Sequence, residues 1–496
     1  DKNSGKRVIG QIFSNKFDLA LYLLPFLYLC SDNNHIICMT QLPDKFKLQV
    51  AQLLGQEEAD GLCRALLEEP TVSVRVNRAK AGCPPQDVEN ERVPWCETGY
   101  YLSSRPSFTL DPLFHAGTYY VQEASSMFIE QAFKTMDFQP QRMLDLCAAP
   151  GGKSTLWRSL LPDGALLVAN EPIRQRAMIL LENLTKWGHP DVVVTNAYPE
   201  DFAPLKGFFD VVATDVPCSG EGMFRKEEKA VEDWSLEAVD HCAARQWQIV
   251  CDIWPTLREG GYLVYSTCTF NREENEDQVD RICQELGAEV VPVSVDASWG
   301  VCGDTTGRHL PVSHFFPNHA RGEGLFLALL RKTLADDAPA KSKKQKKRRP
   351  TPPVAGGKNV AQWLANDGDF KLFRPDETHI CAVRNGLFED VERVCNTVRS
   401  LSAGIVLAEE KGRKYAPTTE LALSTQRNEA AFPKAELTLE EAVAYLRKET
   451  LTLSPEVPRG YVLACYQGHP MGFLNNLGSR ANNLYTTEWR IRTKTL

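Results

Sequence analysis

The sequence has no Cys-x-x-Cys pair, no internal repeat, no apolar run of membrane-spanning length and no surplus of positive charge. Its 15 cysteines lie scattered through 496 residues, so zinc-ligand spacing is absent and no metal site is expected. An odd number of thiols in so long a chain also argues against a disulfide framework, and a reducing, cytoplasmic setting is the simpler expectation. The run Leu19–Cys30 is apolar for only 12 residues, whereas a bilayer span needs ~20. Arg7 and Lys16 upstream of it imitate a signal peptide, but no clean small-x-small cleavage site follows. A formal net charge of −8 means that a polynucleotide partner would be met by local basic patches. The lack of repeats removes solenoid architectures.

What is present is an ordinary globular composition, 43% hydrophobic and 24% charged, in a chain too long for one core. Met39 is the first methionine, and residues 1–38 are expected to be an extension outside the fold. Residues 39–118 read as an α+β region. Phe46, Leu48, Ala51, Leu53 and Leu54 form one helical stripe, Leu62, Leu66 and Leu67 another, and Thr71–Asn77 alternates like a strand. Residues 119–332 alternate strands with helical patterns. Strands are expected at 142–147, 165–170, 191–195, 209–214, 261–266, 288–293 and 324–331, and helices at 173–187 and 236–257. This α/β pattern predicts a mostly parallel, seven-stranded, Rossmann-like sheet covered on both faces, with its last two strands forming an antiparallel edge hairpin. Residues 333–358 form a basic Pro/Gly linker around Lys341–Arg349, either a solvated spacer or a phosphate contact. Residues 359–496 make a further globular region with Trp363, Phe370 and Phe373, a strand at Ile380–Val383 and a helix at 439–448.

Three strand-like runs end on chemistry. The first, Met143–Cys147, opens into Ala148-Ala149-Pro150-Gly151-Gly152-Lys153. This is not a phosphate-binding P-loop, because the position needing the first glycine is Cys147. Small residues let a ligand approach the backbone, and a helix N-terminus offers free N–H groups to an anion. Glu171 ends the next strand, where an acid typically binds a ribose diol. Loop and acid together imply a nucleoside cofactor with an anionic group, a description that S-adenosylmethionine fits. The other two runs end on thiols, Cys218 in Asp215-Val216-Pro217-Cys218 and Cys268 in Ser266-Thr267-Cys268. From the sequence either one can be a nucleophile. Cys147, Cys242, Cys251 and Cys283 have no comparable context and are expected in the core.

Four blocks in this order carry a resemblance: Tyr120–Ser126, Asp145–Thr155, Asp215–Gly222, and Ser266–Phe270 followed by Glu273–Glu276. Together they resemble the Sun family of RNA 5-methylcytosine methyltransferases, in its RsmF-like, rRNA-directed branch. The resemblance implies a class I methyltransferase fold over 119–332 and RNA-binding regions on either side, the last with a PUA-like part near 430–496. It implies S-adenosylmethionine as cofactor, held by Cys147, Ala148, Ala149, Pro150, Gly151, Gly152, Lys153, Glu171, Asn196 and Asp215. It makes Cys268 the nucleophile, gives Cys218 a part in release and brings Asp215 to the cytosine edge. DNA cytosine methyltransferases use the Pro-Cys thiol instead, which here is Cys218; the Thr-Cys thiol marks the RNA class. Asn196 stands where an aspartate is common, and its amide can still bond an adenine edge.

Less specific readings complete the expectation. Arg176 is either a cofactor contact or an ordinary helix-surface arginine, and Arg225-Lys226 either meets RNA phosphate or is solvated surface. Arg480, Trp489, Arg490, Arg492 and Lys494 resemble an RNA-contacting surface, with core packing the alternative for Trp489. The expected activity is cytosine-C5 methylation in 16S rRNA of the small ribosomal subunit, by a monomeric protein with no membrane partner. The alternatives are a tRNA cytosine methyltransferase and a non-catalytic, RNA-binding ribosome-assembly factor, and intact Cys218 and Cys268 argue against the last.

Overall fold

The computed structural model describes residues 41–80, 91–334, 354, 357–412 and 414–493. The expected extension at 1–38, the basic run of the linker and Lys494 lie outside the described residues. Among the described residues, no helix is long and apolar enough to cross a membrane.

Apolar residues alternate along the central strands and send successive side chains to opposite faces. The large sheet contains β1 (Arg142–Asp145), β2 (Leu166–Asn170), β3 (Val192–Thr195), β4 (Phe209–Asp215), β5 (Leu257–Thr267), β6 (Ala288–Val291), β7 (Ser313–Phe315), β8 (Leu325–Lys332) and β9 (Ser400–Ala403). Their order is β6-β8-β5-β4-β1-β2-β3-β9, with β7 paired to β8. From β5 through β4, β1 and β2 to β3 all pairings are parallel, and β8 runs antiparallel to both β5 and β6. Met143, Leu167, Val194, Val211, Val264 and Leu327 pack under α1 (Gly152–Leu160) and α2 (Arg174–Trp187). Their neighbours Leu144, Val168, Val193, Val212, Leu263 and Ala328 pack under α3 (Leu236–Ile253) and α4 (Glu276–Leu286). Ser235 caps α3 by accepting from the Ala238 N–H at 3.1 Å.

All seven expected strands are present, and the sheet holds nine. β7 is a three-residue addition on β8. β9 comes from the C-terminal region and pairs antiparallel with β3, so the outermost parallel strand is covered rather than left as a bare edge. The same junction carries a bifurcated hydrogen bond from Arg384 Nε to both oxygens of the Asp191 carboxylate, at 2.9 and 3.0 Å. The C-terminal region is therefore not separated from the central unit at residue 358. Val391, Val394, Val398 and Ala403 share the core under α3 and α4.

The N-terminal region has helices Asp44–Leu54 and Gln56–Ala65 and a four-stranded sheet. Tyr119–Val121, expected to open the central unit, instead pairs with Ser73–Val76 and completes this N-terminal sheet. The last region forms two further four-stranded sheets, over 370–417 and 434–483, the second packed with the helix Leu439–Leu446.

Candidate active site

Ligands of a doubly wound sheet bind beyond the carboxyl ends of its parallel strands. Here β1, β2, β4 and β5 deliver there the loop at 147–153, Glu171, the segment from Asp215 to Cys218, and Cys268. Cys218 Sγ lies 3.2 Å from Cys268 Sγ, both half-buried. Cys218 is pushed well above the ordinary thiol value, first by its hydrogen bond to Cys268, then by burial and by the charges of Cys268 and Glu274. Beside them, Lys153 Nζ bonds Asp215 Oδ2 at 2.9 Å, and Ser266 Oγ donates to Asp215 Oδ1 at 2.9 Å. Burial alone would lower the Lys153 ammonium. The Asp215 charge and hydrogen bond, with a smaller contribution from Cys268, outweigh it and raise the group.

Two buried glutamates tie the cysteine loops together. Glu221 accepts from the N–H groups of Phe270 (2.7 Å) and Asn271 (3.1 Å), from Asn271 Nδ2 (3.0 Å) and from Trp234 Nε1 (3.1 Å). Glu274 accepts from the Ser219 N–H (3.0 Å), Asn271 Nδ2 (2.8 Å) and Gln246 Nε2 (2.7 Å). The Tyr265 hydroxyl donates to the Glu274 carbonyl at 2.7 Å. Gly222 sits so close to this seam that a Cβ there would lie 2.8 Å from the Cys268 carbonyl oxygen. Sequence reasoning quoted both glutamates within motifs without giving either a role, and nothing in the sequence singles out Gln246.

Burial, followed by the Glu221 charge, pushes Glu274 up to about 8. The native protein then keeps a proton that an unfolded glutamate releases near ~4.3. The associated stability is fully present below ~4.3 and is lost as pH rises through about 8. Relative to Glu274→Gln, the wild-type chain should therefore lose thermal stability between about pH 5 and about pH 8. Parallel melts of the two proteins measure this, and a difference that does not change with pH would contradict it.

On the cofactor side, a shallow recess is lined by Cys147, Glu171, Pro172, Arg176, Pro199 and Pro217, among others. Cys147 is pushed up to about 12 by burial and then by the Glu171 charge, so it is a wall of the recess rather than a reactive thiol. Glu171 is buried, takes the Ile173 N–H at 2.9 Å and pairs with Arg176 at 3.3 Å. Gly151 adopts φ +120° at the turn into α1, a conformation that favours glycine. Asp145 lies behind the loop, held by Ser154 Oγ at 2.6 Å and raised to about 7 chiefly by burial. The Asn196 amide donates to the carbonyls of Glu171 (2.9 Å) and Pro172 (2.8 Å), so its N–H groups fasten the wall.

One sequence reading is overturned and two are narrowed. Arg225 and Lys226 are neither phosphate contacts nor solvated surface. Arg225 is buried, donates to the Gly322 carbonyl at 3.1 Å and lies 3.6 Å from the buried Glu323 carboxylate, and Lys226 is 3.5 Å from the same group. Arg176 is no ordinary surface residue, since it bonds the Ala149 carbonyl at 3.0 Å as well as Glu171. Trp489 is half-buried, packed edge-on to Tyr485 at 6.3 Å, while Arg480, Arg490 and Arg492 are exposed. Of the other thiols expected in the core, Cys242 is buried and Cys251 and Cys283 are half-buried.

The family described as 16S rRNA methyltransferase RsmB/F matches residues 135–331. The N-terminal domain of 16S rRNA methyltransferase RsmF matches residues 42–124, and the methyltransferase RsmF PUA domain matches residues 432–491. The chain is 32% identical over 476 residues to ribosomal RNA small subunit methyltransferase F of Escherichia coli O157:H7, covering 90% of this chain and 96% of that protein. It is 31% identical over 478 residues to the protein of the same name from Erwinia tasmaniensis, again covering 90% and 96%. The crystal structure of PH0851 is similar in fold, with a TM-score of 0.52 and 22% identity over 59% of this chain and 66% of that one.

Proposed function

The chain belongs to the RsmF family of 16S rRNA methyltransferases, and we propose that it methylates C5 of a cytosine in 16S rRNA from S-adenosylmethionine, through a covalent cysteine adduct. The observation that carries this reading is the pair of thiols in contact at 3.2 Å beside Lys153 and Asp215. C5 of cytosine is too weak a nucleophile to take a methyl group unaided. A thiolate adding to C6 turns the ring into an enamine-like adduct with electron density on C5. We assign that step to Cys268, which interacts electrostatically with the Lys153 ammonium. Once C5 carries the methyl group, a base must take its proton so that the C6–S bond breaks and Cys268 leaves as thiolate, and Cys218, 3.2 Å away, is placed to assist. Asp215, oriented by Lys153 and Ser266, offers a carboxylate to the amino edge of the base.

The residues present fit the cofactor. The recess has a polar wall of Glu171 and Arg176, an apolar wall of Pro172, Pro199 and Pro217, and the helix-capping loop 147–153 at one end. Bound there, S-adenosylmethionine supplies an electrophilic methyl group on a sulfonium centre. Glu171 would hold the ribose diol, the loop N–H groups the carboxylate, and Asn196 and Asp215 the nucleoside edge. A paired cytosine cannot reach this site, so the target base is single-stranded or flipped out. Exposed Arg480, Arg490 and Arg492 on the C-terminal unit are the proposed phosphate contacts.

Bisulfite sequencing of total RNA from a strain lacking the gene tests the substrate. Loss of one methylated cytosine in 16S rRNA is expected. Loss at a tRNA position instead would make the protein a tRNA methyltransferase, and no loss anywhere would leave only an assembly role.

A further inference from the structure

The loop at 147–153 is gripped from two sides. From the sheet side, α2 provides Arg176, which donates to the Ala149 carbonyl at 3.0 Å, and Asn183, whose Nδ2 donates to the Pro150 carbonyl at 2.9 Å. From the other side the grip comes from the N-terminal region. Arg75 stands directly opposite Tyr120 in that region's sheet. Its guanidinium is fully buried, with Nε donating to Gln122 Oε1 at 2.7 Å, Nη2 donating to Thr155 Oγ1, and the Gly152 carbonyl 3.4 Å away. The guanidinium also stacks over the Trp187 ring at the end of α2, 4.4 Å from its centroid. A Cβ on Gly152 would lie 3.3 Å from the Tyr120 ring, so the first residue of α1 rests on the N-terminal sheet. A trans peptide points its C=O and N–H in opposite directions. Holding the Pro150 and Gly152 carbonyls therefore orients the N–H groups of Gly151 and Lys153 away from these anchors.

We infer that Arg75, with Gln122 and Thr155, is a positioning residue for the cofactor, so that the N-terminal region acts as the back wall of the S-adenosylmethionine loop in addition to any contact with RNA. This rests on the cofactor assignment made above. A guanidinium fully buried within the protein, with Nε and Nη2 bonded to protein groups, is not an RNA-phosphate contact, and its partners Gly152 and Thr155 both lie in the first turn of α1.

Calorimetric titration with S-adenosylhomocysteine, beside filter-binding to a 16S rRNA fragment, tests the inference on Arg75→Lys and on the milder Thr155→Val. Both variants are expected to bind S-adenosylhomocysteine roughly 10-fold more weakly, to show a matching rise in KM for the methyl donor with kcat near wild type, and to bind RNA unchanged. Circular dichroism at the assay temperature confirms folding. If Arg75→Lys does not fold, Thr155→Val alone decides. Unchanged nucleoside affinity in a folded variant, or weakened RNA affinity alone, would overturn the inference. Failure of the wild-type protein to bind S-adenosylhomocysteine would instead overturn the cofactor assignment.

Discussion

Cys268→Ala is expected to lower methyl transfer by at least about 10³-fold, because removing the attacking atom of a covalent mechanism leaves only binding and orientation. The change should leave stability within about 1 kcal/mol of wild type, since it deletes one half-buried sulfur and no backbone contact. The loss should appear in kcat with the nucleoside Kd preserved, because Cys268 is not among the residues lining the recess. Single-turnover methylation of a 16S rRNA fragment with saturating cofactor measures it. Retention of more than a few per cent of the wild-type rate would place the nucleophile elsewhere, with Cys218 the candidate 3.2 Å away.

Glu221→Ala is expected to have the largest effect on stability. The carboxylate is buried and takes four N–H groups, two of them from the backbone immediately after Cys268 and Thr269. Each orphaned donor costs about 1–3 kcal/mol, and the costs are not additive where Asn271 can turn toward Glu274. A net loss of about 3–5 kcal/mol follows, against a change within about 0.5 kcal/mol for Glu232→Ala, exposed on the short helix Glu228–Asp233. Activity should fall as well, at temperatures where the protein remains folded, because the backbone of 268–271 loses its tether. Denaturant melts and rate measurements on the two variants decide this. Equal stability of Glu221→Ala and Glu232→Ala would show that the seam between the cysteine loops does not depend on the carboxylate.

Much of this arrangement was legible in the residues. β4 and β5 read as strands because long apolar runs end on Cys218 and Cys268, and strand–helix alternation gave the parallel order. β9 was not legible: Ser-Leu-Ser-Ala has little apolar pattern, and it becomes a strand only because β3 offers an unpaired edge. The start of β5 at Leu257 was hidden by Arg258-Glu259-Gly260, a polar stretch that falls in the register shift between the Leu257–Phe209 and Tyr262–Val211 pairings. Arg225-Lys226 looked like surface because two adjacent cations usually are. Their burial follows from Glu323, nearly 100 residues away, which no local pattern connects to them. Glu221 and Glu274 raised the same difficulty, since a glutamate in a motif does not announce that it is buried under four donors or three. The two thiols were visible in the sequence, but their contact needed the fold.

The account stands on the order in which the two thiols act, and denaturing gel electrophoresis of protein incubated with labelled 16S rRNA and cofactor tests that order most directly. Cys218→Ala should accumulate a covalent protein–RNA band that survives denaturation, because the adduct forms on Cys268 and its release is impaired, and Cys268→Ala should form none. A persistent band in Cys268→Ala with none in Cys218→Ala would contradict the account and make Cys218 the nucleophile.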